Sequence, residues 1–203
     1  MIKGKKTITE IIQEEGTPER LYSFSDGVFS IIITIMILQL KEPKVATFGA
    51  LLQLWPTWLS YCVSYVFVAI IWINHHYLMR YAESARLRLM WANFAHLFSV
   101  SLIPFSTNWV SDTRFQSVPV MVYAFVFVLA NVTYLWLVKE TIHGRMGSGI
   151  SRRAMKLLHL RGFISLSLFT TATIIAIWFP FVGFGLIVCC LSLYIRPALQ
   201  DFK

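Results

Sequence analysis

The chain alternates long stretches that carry no charge with short clusters that hold nearly all of it. Residues 45–79, 89–111, 115–138 and 162–195 contain no Asp, Glu, Lys or Arg, and 27–40 form a further such run. A helix needs about 20 apolar residues to cross the roughly 30 Å of a bilayer core. Hydrophobic residues make up 57% of the 203, and charged residues only 14%, against about 25% in an average soluble domain. The net charge of +8 is therefore no nucleic-acid face. The charges sit at the ends of apolar runs, which is the pattern of an all-α, polytopic membrane protein.

Two runs need dividing. Residues 162–195 would form a helix about 51 Å long at 1.5 Å per residue, too long for one crossing. The stretch WFPFVGFG, with Pro180, Gly183 and Gly185, breaks it into a hairpin. The start of 45–79 carries Pro56 between Trp55 and Trp58, which suits a membrane boundary. Six spans result, over about 21–40, 55–79, 89–110, 117–138, 157–178 and 180–195. With six spans, fifteen of the eighteen Lys and Arg share one side, leaving Lys41, Lys44 and Arg114 on the other. Basic flanks mark the cytosolic side, so both termini are expected in the cytosol and the protein in the cell membrane.

The domain reading is correspondingly simple: a cytosolic N-terminal segment over 1–19, one membrane domain over 20–196 and a cytosolic tail over 197–203. Within the first segment, Thr7 and Glu10 have capping-box spacing and Ile8, Ile11 and Ile12 share a face. A short helix over 7–15 and a frayed tail both fit. The N-terminus lacks the apolar core and small-residue cleavage site of a secretory signal. The loop 140–156 is basic and rich in Gly and Ser but holds no GxxxxGK[ST] phosphate loop. No internal repeat appears. Cys62, Cys189 and Cys190 lie within spans without metal-ligand spacing. No nucleophile–base pair, metal motif or cofactor motif stands out, so neither an enzyme nor a cofactor is expected.

Polar groups inside spans are costly and normally face protein or water. Asp26 lies about five residues inside span 1, His75 and His76 end span 2, and Asn93 begins span 3. By helical rise all lie roughly 6–8 Å deep on the cytosolic side. A carboxylate, two imidazoles and an amide thus share a level at which each can satisfy another. Arg20 is six residues, or about 240° of helix, from Asp26, so a bond between them has to cross helices or subunits.

Span 1 also carries a stripe. At about 100° per residue, Ile31, Thr34, Ile35 and Leu38 fall on one face, which Phe24, Gly27 and Val28 extend toward the cytosol. Asp26 points about 140° away from Ile31. The stripe fits contact with lipid, ordinary packing or, around an axis shared by several copies, the wall of a pore. In the last case Ile31 and Leu38 form apolar constrictions and Thr34 a ring of hydroxyls between them. One helix per subunit cannot enclose a pore, so that reading needs closed symmetry.

The motif Arg20-x-x-x-Phe24-Ser25-Asp26-Gly27 opening span 1, WINHH in span 2 and NFAHLFSVSLIPFST in span 3 resemble the transmembrane protein 175 family. The family comprises potassium-permeable channels, lysosomal in animals and with prokaryotic relatives. The resemblance implies six transmembrane helices per subunit and no pore-loop filter; no TVGYG-like sequence is present here. A single six-span repeat is similar to the prokaryotic branch, which implies a homotetramer passing potassium and other monovalent cations. It further implies that span 1 lines the pore, with Ile31, Thr34 and Leu38 as constriction, selectivity layer and second apolar layer. Arg20, Phe24, Ser25 and Asp26 are then expected to join His75 and Asn93 in a structural polar network. The lipid bilayer is the other expected partner, and nucleic acid is not one. The alternative function is a proton-coupled transporter that titrates Asp26, His75 and His76; the absence of internal repeats and broken mid-membrane helices weighs against it.

Overall fold

A computed structural model describes residues 18–142 and 152–194, and these are helical with short connections. The expected helix over 7–15 and the tail over 197–203 lie outside the described residues, as do residues 143–151 of the basic loop. The helices run α1 (Pro18–Ile37), α2 (Phe48–Leu52), α3 (Trp55–Met79), α4 (Leu87–Ser101), α5 (Ile103–Asp112), α6 (Ser117–Ile142), α7 (Arg152–Ile175) and α8 (Pro180–Tyr194).

Prolines mark several starts. Pro18 opens α1, Pro56 stands in the first turn of α3 and Pro180 opens α8, positions where a missing N–H costs nothing. The surface turn α2 is capped by Thr47, whose hydroxyl accepts from the Ala50 amide at 3.2 Å. Helices α4 and α5 act as one 26-residue span, interrupted at Leu102. Pro104 has no N–H to give the carbonyl four residues back, so the ladder breaks there. Between α5 and α6 the chain turns sharply, with Arg114 and Phe115 both at positive φ, 50° and 61°. The strained Phe115 is held by burial beside Trp55, Phe181 and Phe184.

Five spans are long and apolar enough to cross a membrane: α1, α3, α4 with α5, α6 and residues 155–175 of α7. Where the sixth span is expected lies a shorter apolar helix, α8, which folds back on α7 and is not among the five. Its 15 residues extend about 22 Å, short of a full hydrocarbon core. The hairpin is tight because Gly183 lies against α7: a Cβ there would come within 2.9 Å of the Ala172 carbonyl and of Ala176 Cβ. Small residues of this kind let membrane helices approach closely.

The main core runs through the middle of the bundle, with Phe29, Ile32 and Met36 of α1 against Phe67, Tyr123 and Phe127. Phe67 and Phe127 pack at 4.4 Å between centroids, and Phe169 of α7 closes on both. A second cluster, at the end of the bundle where α1 begins and α3 ends, joins Leu21, Leu78, Met79, Leu89, Leu137 and Leu158. Both clusters take the same edge of α1, and that fixes which face of α1 remains uncovered.

Candidate functional site: the uncovered face of α1 and its polar anchor

On α1 the residues Leu21, Ser25, Phe29, Ile32 and Met36 are buried in the subunit. Their spacing of three to four residues makes one face. The opposite face is uncovered: Phe24, Ile31, Ile35 and Leu38 are exposed, Ile31 at 57% and Leu38 at 75%. Thr34 is exposed among them. Its hydroxyl donates back to the Ser30 carbonyl at 2.9 Å, with the Ile31 carbonyl also in reach at 3.0 Å. A hydroxyl has one proton, so the oxygen presents only lone pairs outward. Ser23 and Ser30, also exposed, donate back in the same manner to Glu19 and Asp26 carbonyls. At its end α1 is tied to α5 by Gln39, whose amide donates to the Pro104 carbonyl at 2.7 Å.

The buried edge of α1 is held by a directed chain of hydrogen bonds. Ser25 donates to the Leu21 carbonyl at 2.8 Å. Its oxygen then accepts from Asn93 Nδ2 at 2.9 Å. Asn93 Oδ1, 2.7 Å from His75 Nε2, is an acceptor only, so the Nε2 of His75 carries the proton it receives. All three side chains are essentially fully buried. The chain therefore runs from α3 through α4 into the backbone of α1, with each donor matched.

Asp26 does not join that chain. It is half-buried one residue further round α1, and its Oδ1 accepts from Trp72 Nε1 of α3 at 2.9 Å. His76 is exposed and its ring lies 5.6 Å from that of Trp72. Phe24 makes an edge contact with Phe94 at 5.4 Å. Arg20 is exposed, and among the described residues it makes no hydrogen bond or ion pair. The single expected network is thus several separate contacts: Ser25–Asn93–His75, Asp26–Trp72 and Phe24–Phe94. Tyr22 adds another, its hydroxyl donating to the Met79 carbonyl. Among the described residues no three His, Cys, Asp or Glu side chains gather as a metal site.

Sequence reasoning missed Trp72 and His96. Trp72 reads as apolar filler, although its indole N–H always needs an acceptor when covered. His96 follows Asn93 by three residues, a spacing that puts both on one face of α4. Its ring is stacked on that of His75, 6.0 Å away and 8° from parallel.

Fold and site together define a polytopic α-helical membrane protein whose first helix is anchored on one edge and uncovered on the other. The family model described as endosomal/lysosomal potassium channel TMEM175 matches residues 20–104, the segment that holds α1, Trp72, His75 and Asn93. A protein named as a potassium channel in Chryseobacterium sp. (strain P1-3) is 31% identical over 171 residues, covering 83% of this chain and 88% of its own length. Another so named in Streptomyces collinus is 34% identical over 135 residues, 61% of this chain and 66% of its own length. The crystal structure of a homologue, from Chamaesiphon minutus, of the lysosomal potassium-selective channel TMEM175 superposes with a TM-score of 0.76 at 22% identity, covering 87% of this chain and 95% of that one. The chain belongs to the TMEM175 family, which is a family of ion channels and not of enzymes.

Proposed function

We propose that this chain is the subunit of a potassium-permeable cation channel, and that four copies of α1 surround the conduction path. The observation that carries the reading is the uncovered α1 face, on which Ile31, Thr34 and Leu38 stand exposed while the opposite face is packed and bonded. Two relatives named as potassium channels support the class of permeant ion. In such an assembly Ile31 and Leu38 make apolar constrictions that gate by dewetting, and Thr34 makes a ring of oxygens between them. The back-bonding of Thr34 leaves that ring acceptor-only, so it favours cations over anions. No formal charge lies on the face, which predicts modest conductance and modest discrimination of potassium from sodium. Arg20, Phe24, Ser25, Asp26, His75 and Asn93 serve the fold, by holding α1 in position or meeting a neighbouring helix or subunit. Both termini lie in the cytosol of a cell-membrane protein by the distribution of Lys and Arg.

The proton-coupled alternative gains nothing from the geometry, since Asp26 and His75 belong to different contacts. The test is purification, mass determination and liposome flux with potassium, sodium and caesium. A tetramer with non-saturating potassium flux is expected. A monomer, or a flux that saturates and requires a pH gradient, overturns the reading.

A further inference from the structure

The exposed faces of α6 and α7 turn from apolar to basic at the same end of the bundle. On α6 the exposed residues Phe125, Val132, Trp136 and Lys139 stand seven, four and three residues apart, which is one helix face. On α7 the exposed Phe163 and Leu160 give way, toward the helix start, to the exposed His159 and Lys156. Arg152 and Arg153 open that helix. The two helices pack side by side, with Gly162 against the side chain of Leu135. Four residues of rise, about 6 Å, separate Leu135 from Lys139 and Gly162 from Leu158. Lys139 is therefore level with the turn that carries Lys156 and His159. Between residues 139 and 161 the chain holds six Lys or Arg and a single acid, Glu140. Arg86, from the α3–α4 connection, donates to the Glu140 carbonyl at 3.1 Å and brings a further guanidinium to the end of α6.

We propose that this end of the α6–α7 pair binds anionic phospholipid, with acyl chains on the apolar faces and headgroup phosphates on the bases above them. Both helices are long and apolar enough to cross a membrane, so an exposed apolar face on them takes hydrocarbon. A Lys at the end of such a face lays its stem along the apolar surface and its ammonium among the headgroups. Charge selects the headgroup. A zwitterionic lipid brings a cation with its phosphate, and six bases against one acid offer that cation little. An anionic lipid brings none, and each Lys or Arg near an anionic surface is worth about fivefold in affinity. Position agrees: α7 packs on α6 and α8, whereas α1 packs on α3 and α4. The placement of this face on the outside of an assembly rests on the reading of α1 as the inner helix.

The test is tryptophan quenching in the full chain, reconstituted in phosphatidylcholine vesicles that contain brominated phosphatidylglycerol or brominated phosphatidylcholine. Trp136, one turn from Lys139, is the local reporter, and its share of the signal is the difference between wild type and Trp136→Phe. Brominated phosphatidylglycerol is expected to quench that share at a several-fold lower mole fraction than brominated phosphatidylcholine. High salt is expected to narrow the difference, and Lys139→Gln with Lys156→Gln to bring the two lipids toward parity. Lys41→Gln with Lys44→Gln, which removes the same charge outside this surface, is expected to leave the preference as it is. Equal quenching in the wild type, an equal loss in both double variants, or no quenching by either lipid each overturn the proposal; the last result means that protein covers the face. If the Lys139 and Lys156 variant does not reconstitute, the wild-type comparison and its salt dependence decide. The readout does not use flux. Anionic preference in a chain that passes no potassium overturns the channel reading alone, and equal quenching in a conducting chain overturns this one alone.

Discussion

Replacing Asn93 by Leu is the sharpest perturbation of the anchor. Leucine keeps the number and branching of the side-chain heavy atoms, so the change removes hydrogen bonds without leaving a cavity. Two partners are affected. His75 loses the acceptor for its Nε2–H at 2.7 Å, and Ser25 loses the donor at 2.9 Å but keeps its own proton on the Leu21 carbonyl. An orphaned buried donor costs about 1–3 kcal/mol, whereas an under-used hydroxyl oxygen costs less. Measured couplings between polar side chains in membrane helices are smaller, about 0.6 kcal/mol on average and about 1.7 at most, because the unfolded helices find other partners in the bilayer. The destabilisation expected for Asn93→Leu is therefore about 1–3 kcal/mol, most of it at His75. The Asn93–Ser25 coupling is expected near the membrane average, about 0.6 kcal/mol. A double-mutant cycle of Asn93→Leu with Ser25→Ala, read by reversible unfolding in lipid or mild detergent, measures both. Strict additivity, within about 0.3 kcal/mol, together with wild-type stability for Asn93→Leu, would refute the directed chain.

Four further outcomes rest on named contacts. Thr34→Ala is expected to leave folding and assembly intact, because the hydroxyl bonds only to its own helix, while the potassium-to-sodium flux ratio changes; unchanged ratios in liposomes count against the ring. Asp26→Asn is expected to assemble normally, since an amide oxygen still accepts from Trp72, whereas Trp72→Phe loses stability by about 1 kcal/mol, within the range for one hydrogen bond; thermal unfolding of the two variants separates these outcomes. Gly183→Ala is expected to destabilise the α7–α8 hairpin by about 1–3 kcal/mol through overpacking, as its methyl meets the Ala172 carbonyl and Ala176; equal melting temperatures would contradict it.

The long uncharged runs made the order and length of the helices legible, because hydrocarbon admits few alternatives to a helix. Pro180 and the glycines after it likewise announced the α7–α8 turn. The break at Leu102 was not read, although Pro104 carries the cause in the sequence. Partner choice at the anchor was less legible. Depth along each helix placed Asp26, His75 and Asn93 at one level, but rotation decides which side chains meet. Ser25 and Asp26 point about 100° apart, and packing of Phe29, Ile32 and Met36 turned Ser25 toward Asn93 and left Asp26 to Trp72. Rotation of one helix against another depends on the shapes of many apolar side chains, and a polar pattern alone does not encode it. The same packing settled which side of α1 stays uncovered within the subunit, a point on which periodicity was silent.

Water access along the first helix is the most direct measurement of the central claim. Single cysteines at Ile31→Cys, Thr34→Cys and Leu38→Cys, in a background with Cys62 and Cys189 replaced by Ser, would be treated with a membrane-impermeant charged thiol reagent during potassium flux from liposomes. A water-filled path enclosed by four copies predicts that Thr34→Cys and Leu38→Cys react and that flux falls as they do. Unreactive thiols at both positions beside undiminished flux would place that face against lipid and contradict the account.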